Sequence, residues 1–342
     1  MRRWRINLFL TTCQDDKICK IANKIMYYIL ILMIKFDKMK LITSIDYISD
    51  INVSVFLTSV KNDEVLSYKY QQDKPYSLLI LVDYSHNELV LEFTGKILLD
   101  KYSQLINSET IKDCLSNINK LNICRLNVEA ILHDAEVVKC DVTKDIATDI
   151  NVINSTIRQN LNNYRKWTVK PYNSGITLEN TVSTPKYKKR LAIYDKYKEL
   201  EKVNNVNFIN GLSTKNEILS YFKGKVRFEL NINTKQQIRQ FLNIPNNNIQ
   251  NVLNATANPI LAVIDEAVKY EPQQQKAQTL RNYEHELLLK DCDYDLVKVE
   301  AKVRTLLSSK TSITNKMKLY KALYKRLQEN QNNAIDIRSL VA

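Results

Sequence analysis

Two stretches of the sequence indicate the fold most clearly: KKRLAIYDKYKEL at residues 188–200 and KVRFELN at residues 225–231. The first reads as a short apolar strand that ends at Tyr194 among lysines and leads into a helix. The second alternates, so that Arg227 and Glu229 share one face of a strand and apolar residues share the other. These stretches predict two strands of a sheet with polar side chains on one face.

The same residues suggest a chemistry. A phenol can attack phosphorus when cations hold the phosphate and a metal neutralises the developing charge. Phenol has a reference pKa of ~10, so we expect Lys196 and Lys198 to lower the pKa of Tyr194. The alternative is that Tyr194 is an ordinary core or surface residue among the 19 tyrosines of the chain. Tyr197 is a further candidate nucleophile, but its position favours a plain helix residue.

Periodicity along the chain predicts an α+β fold with a mainly antiparallel sheet, followed by an all-helical C-terminal module. Strands are expected at residues 78–82, 88–94, 124–132, 136–143, 176–181, 190–194 and 225–232. Helices are expected at residues 95–120, at residues 146–167, from residue 196, and in most of the chain after residue 234. The predicted units are an N-terminal extension (1–38), the sheet domain (39–235) and the helical module (236–342).

The beginning of the chain is harder to interpret. The run IMYYILILMI at residues 25–34 is too short to span a bilayer, so no stable membrane association is expected. It reads as a buried first strand, as an interfacial segment or as sequence upstream of the true start. The pattern favours a dispensable extension up to about residue 32, and Met33 and Met39 are both plausible starts. We expect a protein that begins at Met33 to fold and function as the full chain does.

Composition narrows the partners. The net charge of +13 favours a polyanionic partner, usually nucleic acid, over the alternative of a basic surface kept for solubility. The six cysteines form no C-x-x-C pair, so a zinc ribbon is not expected, and reduced cytoplasmic thiols are the default.

Carboxylates supply the candidate metal ligands. In AEVVKCDVTKD, residues 135–145, Asp141 lies on one strand face with Lys139. If this strand neighbours residues 225–232, Asp141 and Glu229 converge, and Mg²⁺ or Mn²⁺ prefers such oxygen ligands. Glu92 and Glu199 are expected to complete the shell. Solvated carboxylates in salt bridges are the alternative, which the residues alone favour. No His-hydrophobe-His triplet exists among the isolated His86, His133 and His285.

Basic runs mark candidate DNA contacts. Four cations precede Tyr194, with Tyr187 between them, and this mixture suits phosphate contact and base stacking on single-stranded DNA. The expected DNA-binding residues are Lys186, Lys188, Lys189, Arg190 and Lys198. A second series at helical spacing, which includes Lys316, Lys318, Lys321, Lys325 and Arg326, is either a DNA-binding helix or a solvated face.

These motifs together resemble the gene II/X family of phage and plasmid replication initiators and, more distantly, the Rep_trans rolling-circle initiators. The match reads Tyr194, Lys196, Glu199, Arg227, Phe228 and Glu229, with looser elements at Lys139, Cys140, Asp141, Glu92 and Lys96. Lys139 and Cys140 depart from the family triplet, where Arg and Ile stand. The similarity extends over about residues 40–245.

The resemblance implies a nucleotidyltransferase domain and a metal-dependent endonuclease that initiates rolling-circle replication. Tyr194 would nick one strand at an origin, form a 5′-phosphotyrosyl intermediate and later reseal the displaced strand. Lys196, Glu199 and Arg227 would assist, with metal held by Asp141, Glu229 and Glu92. Expected partners are single- and double-stranded origin DNA, a host helicase and a polymerase, in the bacterial cytoplasm. The alternatives are a non-catalytic origin or operator binder and a related relaxase or transposase.

Overall fold

The computed structural model describes residues 34–161, 167–182, 184, 187–268, 279–328 and 336–342. Within them the strands are β1 (Phe36–Ser44), β2 (Ile48–Ser49), β3 (Leu57–Lys61), β4 (Glu64–Gln72), β5 (Leu78–Asp83), β6 (Glu88–Thr94), β7 (Arg125–Leu126), β8 (Glu136–Ala147), β9 (Trp167–Tyr172), β10 (Gly175–Asn180), β11 (Arg190–Asp195) and β12 (Lys225–Ile232). Ten of these form one antiparallel sheet in the order β3-β4-β5-β6-β1-β8-β12-β11-β10-β9, and β2 pairs with β7.

Helices surround this sheet. They are α1 (Ile111–Asn119), α2 (Val128–Asp134), α3 (Ile150–Gln159), α4 (Lys196–Leu200), α5 (Val203–Asn210), α6 (Lys215–Phe222), α7 (Lys235–Leu242), α8 (Ile249–Leu253), α9 (Pro259–Ala267), α10 (Leu280–Asp291), α11 (Leu296–Leu306), α12 (Lys310–Gln328) and α13 (Ile337–Val341). A longer 3₁₀ segment, Gly95–Gln104, follows β6. The predicted α+β class is confirmed.

The sheet has one apolar and one polar face because its central strands alternate. Leu41, Leu91 and Phe228 are fully buried on the apolar face, which α3, α7, α8, α9 and α13 cover. On the other face α4, α5, α6 and the 3₁₀ segment share a smaller apolar cluster around Tyr102 and Phe222, at one end of the strands. Burial of apolar side chains on one face fixes the register, so polar side chains collect on the other.

Several predicted elements are confirmed. The hairpin of β5 and β6, strand β11 and strand β12 lie where the alternation predicts them. The strand expected at residues 124–132 is wrong, because only Arg125–Leu126 is extended and α2 follows. The Asn127 side chain accepts a hydrogen bond from the Ala130 amide and so caps that helix. The helix expected at residues 146–167 is also shorter than predicted, since β8 continues to Ala147 and Trp167 begins β9.

The C-terminal helices divide between two cores. Helices α7, α8, α9 and α13 pack in the same core as the sheet, and the predicted boundary at residue 235/236 falls after the first residue of α7. Helices α10, α11 and α12 share a separate cluster that includes Val299, Met317 and Tyr320. None of the described helices is long and apolar enough to cross a membrane.

Strand β1 is central in the sheet, paired with β6 on one side and β8 on the other. The predicted boundary after residue 38 therefore falls inside this strand. Phe36 and Met39 are fully buried. Most of the apolar run at residues 25–34, including Met33, lies outside the described residues, of which Ile34 is the first.

Strand β1 provides a first prediction. A chain that begins at Met39 should be destabilised by roughly 3–5 kcal/mol or more. It loses the buried ring of Phe36 and the first residue pairs between β1 and β8. A chain that begins at Met33 retains every described residue and is the matched control. Urea denaturation of both would decide, and equal midpoints would contradict the central role of β1.

Candidate active site on the polar face

Tyr194 lies near the end of β11, on the polar face of the sheet. It pairs with Arg227 of β12 on one side and with Gly175 of β10 on the other. Its hydroxyl donates a 2.8 Å hydrogen bond to Oε2 of Glu229, one position further along the same face of β12. The side chain is 8% exposed, and Glu229 is half-buried. The hydroxyl of Tyr194, the candidate nucleophile, is thus hydrogen-bonded to the carboxyl group of Glu229.

Gly175 permits this placement of Tyr194. A Cβ atom at position 175 would lie 2.0 Å from the carbonyl oxygen of Ile193 and 2.7 Å from the Cα of Tyr194. Both are backbone contacts that no side-chain rotation can relieve. Strand β10 therefore approaches the backbone of Tyr194 more closely than any residue but glycine allows.

Burial and neighbouring charges raise the pKa of Tyr194, whereas the sequence predicted that lysines would lower it. Burial, and then the charge of Glu229, raise the pKa of Tyr194 well above its ordinary value of 10. The expected lowering by Lys196 and Lys198 does not occur, because Lys196 is matched by carboxylates and Lys198 is exposed beside Asp195. Burial, followed by the charges of Asp37 and Asp141, raises the pKa of Glu229 from 4.5 to about 7.

Lys196 is a buried cation at the start of α4. Its Nζ lies 2.8 Å from Oε2 of Glu199 and 5.6 Å from the centre of the Tyr194 ring. The same Nζ lies 5.5 Å from the centre of the Tyr102 ring, over its face. Burial alone would lower the pKa of Lys196, but Tyr102, Asp37 and Glu199 outweigh it and raise that pKa. Lys196 therefore stays protonated and places a fixed positive charge beside Tyr194.

Glu199 is held in place from two sides. Its Oε1 accepts a 2.5 Å hydrogen bond from Asn205, whose own Oδ1 accepts one from Lys96. Burial would raise the pKa of Glu199, but Lys196 and Asn205 reverse the shift and lower it. Sequence reasoning did not identify Asn205, which lies on α5 and has no motif of its own.

Arg227 does not reach the open face. Its side chain is fully buried, with Nε and Nη2 bound to the two carboxylate oxygens of Asp145 at 2.7 and 2.8 Å, and Nη1 bound to Asp37 at 2.7 Å. The predicted direct catalytic role of Arg227 is therefore not supported by its position. Asp37 and Asp145 were missed because isolated aspartates in alternating strands give no signal of their buried partner.

Asp141 lies on the polar face of β8, as the sequence predicted. Strands β8 and β12 are neighbours, with Asp141 opposite Asn231, so the predicted convergence with Glu229 on one face is confirmed. Asn231 donates a 2.8 Å hydrogen bond to Oδ1 of Asp141. Burial, together with the charge of Asp37, raises the pKa of Asp141. Two carboxyl groups whose pKa burial raises thus lie on the same face of neighbouring strands, diagonally across the register.

Glu229 and Asp141 offer oxygen atoms that could hold a divalent metal ion. Glu229 uses Oε2 and Asp141 uses Oδ1, so among the described residues one oxygen of each has no hydrogen bond. A divalent cation suits two such oxygens. Glu92 fits poorly, because it lies among Lys38, Lys40 and Lys139. No cluster of three or more His, Cys, Asp or Glu side chains in the described part of the chain is arranged as a metal site.

The predicted DNA-binding residues lie on different faces of the sheet. Lys188 and Arg190 lie on the polar face with Lys170 around Glu179, at N–O distances of 4.0, 3.4 and 2.6 Å. Lys189 belongs to the opposite face, where it pairs with Glu266 and lies over the ring of Phe241. The predicted contact at Lys186 lies outside the described residues.

The remaining candidates have ordinary environments. Tyr197 packs against the cluster of α5 and α6, as expected for a plain helix residue. His86 pairs with Asp83 and His133 with Asp134 at exposed turns or helix ends, and His285 contacts Lys316. Helix α12 buries Tyr320, Leu323 and Tyr324, so its aromatics pack internally while its lysines are left at the surface.

Comparison with known proteins agrees with the residues assembled here. Residues 107–252 match a family of phage proteins described as the N-terminal part of a replication-associated protein of the gene II type. This segment covers less than half of the chain, but it contains Tyr194, Lys196, Glu199, Glu229 and Asp141. The predicted resemblance to phage gene II replication initiators is confirmed over this segment. No curated protein matches the chain.

The buried arginine provides a second prediction. Asp145→Ala should destabilise the protein by roughly 3–5 kcal/mol, because it leaves the charge of Arg227 buried with only one carboxylate. Asp113→Ala is the control, since its exposed pair with Lys101 is expected to contribute less than about 1 kcal/mol. Urea titrations give both values, and similar losses in the two variants would show that Arg227 is not held as described.

Proposed function

We propose that this protein initiates rolling-circle DNA replication by cutting one strand at an origin with Tyr194. The observation that carries the proposal is the 2.8 Å hydrogen bond from the Tyr194 hydroxyl to Glu229, beside the buried cation of Lys196. The family match over residues 107–252 supports a role in phage replication, and the net charge of +13 supports a DNA partner.

In the proposed reaction Tyr194 is the nucleophile and Glu229 is the general base. The Tyr194 oxygen attacks the scissile phosphorus, and its proton passes to Glu229, whose pKa of about 7 suits a base at neutral pH. The phosphorus–O3′ bond breaks, and the departing O3′ takes a proton from water. The 5′ phosphate remains on the tyrosine, and the free 3′ hydroxyl is left to prime synthesis.

Lys196 has an electrostatic part in this scheme. Its fixed charge lies 5.6 Å from the Tyr194 ring, so it stabilises negative charge that develops on the phenol oxygen as the proton leaves. Glu199 and Asn205 position the ammonium group. Reversal of the same step, with a new 3′ hydroxyl as the attacking group, restores the DNA backbone and returns the proton to Tyr194.

Mg²⁺ or Mn²⁺ is the cofactor that the site would take. Asp141 and Glu229 would hold it, and when bound it would neutralise negative charge on the phosphoryl oxygens. A cation there would also offset burial and the negative charge of Asp37, which raise the pKa of both carboxyl groups. Adduct formation that persists in excess EDTA would exclude this role.

The nucleophile can be tested directly. Tyr194→Phe should keep DNA binding but lower nicking by a factor on the order of 10³ or more, because only the attacking oxygen is lost. The assay is relaxation of supercoiled plasmid that carries the origin, with mass spectrometry of the covalent peptide. Tyr197→Phe is the matched control and should nick normally. A covalent adduct on Tyr197, or unchanged nicking by Tyr194→Phe, would refute the assignment.

The proposed role of Glu229 as general base predicts how the nicking rate and the stability depend on pH. Nicking by the wild type should rise about tenfold per pH unit at acid pH and level off once Glu229 is ionised, at about pH 7 without metal and at lower pH once a cation is bound. Stability should change oppositely. The folded pKa lies above the ordinary 4.5, so this contribution is complete below about 4.5 and is lost as pH rises through about 7.

Glu229→Gln separates the two effects. The amide oxygen can still accept the Tyr194 hydrogen bond, but it cannot take the proton. Nicking should be severely reduced at every pH, and the melting temperature should fall less between pH 5 and pH 8 than in the wild type. Wild-type nicking rates independent of pH between 5 and 8 would contradict the assignment of Glu229 as base.

A further inference from the structure

A second basic cluster lies on the polar face, on the side of Glu229 away from β9. Lys38 and Lys40 of β1 and Lys139 of β8 surround the carboxylate of Glu92 on β6, with N–O distances of 2.5, 3.9 and 4.0 Å. The lysine side chains are 24–35% exposed, whereas that of Glu92 is 15% exposed. The cations therefore form the outer surface of the cluster.

The charge of this cluster is not balanced. Three ammonium groups meet the carboxylate of Glu92, so these four side chains carry a net charge of +2. The carboxyl group nearest in register, Asp141 opposite Lys38, is buried, and burial opposes its ionisation. Burial would raise the pKa of Glu92, but the three lysines reverse the shift and lower it, so Glu92 remains ionised. One lysine would suffice to neutralise Glu92. The excess is what a phosphate-binding surface requires.

Strand register connects this cluster with the one around Glu179. A single cross-strand row passes from Lys38 through Asp141, Asn231 and Arg190 to Glu179. It covers the five strands β1, β8, β12, β11 and β10, or about 19 Å at ~4.8 Å per strand. Glu229 lies two residues from Asn231 on β12, so the row passes directly beside the Tyr194–Glu229 pair.

We propose that the cluster of Lys38, Lys40 and Lys139 binds backbone phosphates of single-stranded DNA, so that the strand crosses the sheet along this row. The Glu179 cluster holds the strand on the other side of the nucleophile. Glu92 gathers the three lysines and is not a metal ligand. The inference rests on the proposed function for the identity of the strand, but its own claim is a binding site.

Charge removal at this cluster is the test. Lys38→Gln/Lys139→Gln should lower the magnitude of the slope of log K against log salt by about 1.4, at ~0.7 per phosphate contact for single strands. Binding of a fluorescent single-stranded oligonucleotide is measured by anisotropy. Lys101→Gln/Lys112→Gln removes equal charge from lysines that each pair with one carboxylate elsewhere, and its slope should stay at the wild-type value. Equal slopes in the two double variants would overturn the proposal.

Glu92→Gln gives the opposite sign and keeps the test informative if the double variant folds poorly. It adds one unit of positive charge to the face, so oligonucleotide binding should tighten. If Glu92 were a metal ligand, this variant would instead lose metal-dependent nicking without binding DNA more tightly, and the proposal would be wrong. Because anisotropy requires no cleavage, it distinguishes failure of this site from failure of the Tyr194 chemistry.

Discussion

The buried guanidinium of Arg227 is the constraint on which the rest of the site depends. It ties three adjacent strands through Asp37 of β1 and Asp145 of β8. A charge removed from water is tolerated only with well-oriented partners, so the register of all three strands is fixed at this point. Arg227 also pairs across the strands with Tyr194, so the same register sets the position of Tyr194.

Burial of so many charges also sets the resting state of the site. Asp37, whose pKa burial would raise, is held below its ordinary value by Arg227, Lys196 and Lys96. Its negative charge then discourages ionisation of Glu229 and Asp141 on the same face. The Tyr194 phenol, whose own pKa is raised, thus faces a carboxyl group that is only partly ionised at neutral pH.

The sequence predicted much of this arrangement, and physical reasons account for the rest. Alternation at residues 225–232 identified β12, and two apolar runs around a turn identified the β5–β6 hairpin, because both patterns are local. The pairing of β8 with β12, which brings Asp141 beside Glu229, was only a conditional expectation, since strand order depends on long-range packing. Arg227 was predicted to assist catalysis because alternation reveals its face but not the aspartates that bury it. Glu92 looked like a metal ligand for the same reason, as its lysines come from two other strands.

The close contact at Gly175 has a mechanical consequence. Strand β10 lies against the backbone of Tyr194 with no side chain between them, and β9 follows it at the edge of the sheet. Paired strands of a sheet meet backbone to backbone, so no change of rotamer can absorb a shift between β10 and β11. Position 175 has no Cβ atom, and a shift of β10 towards β11 meets the backbone of Ile193 and Tyr194 directly. A displacement at the β9–β10 edge of the sheet would therefore move Tyr194 as well.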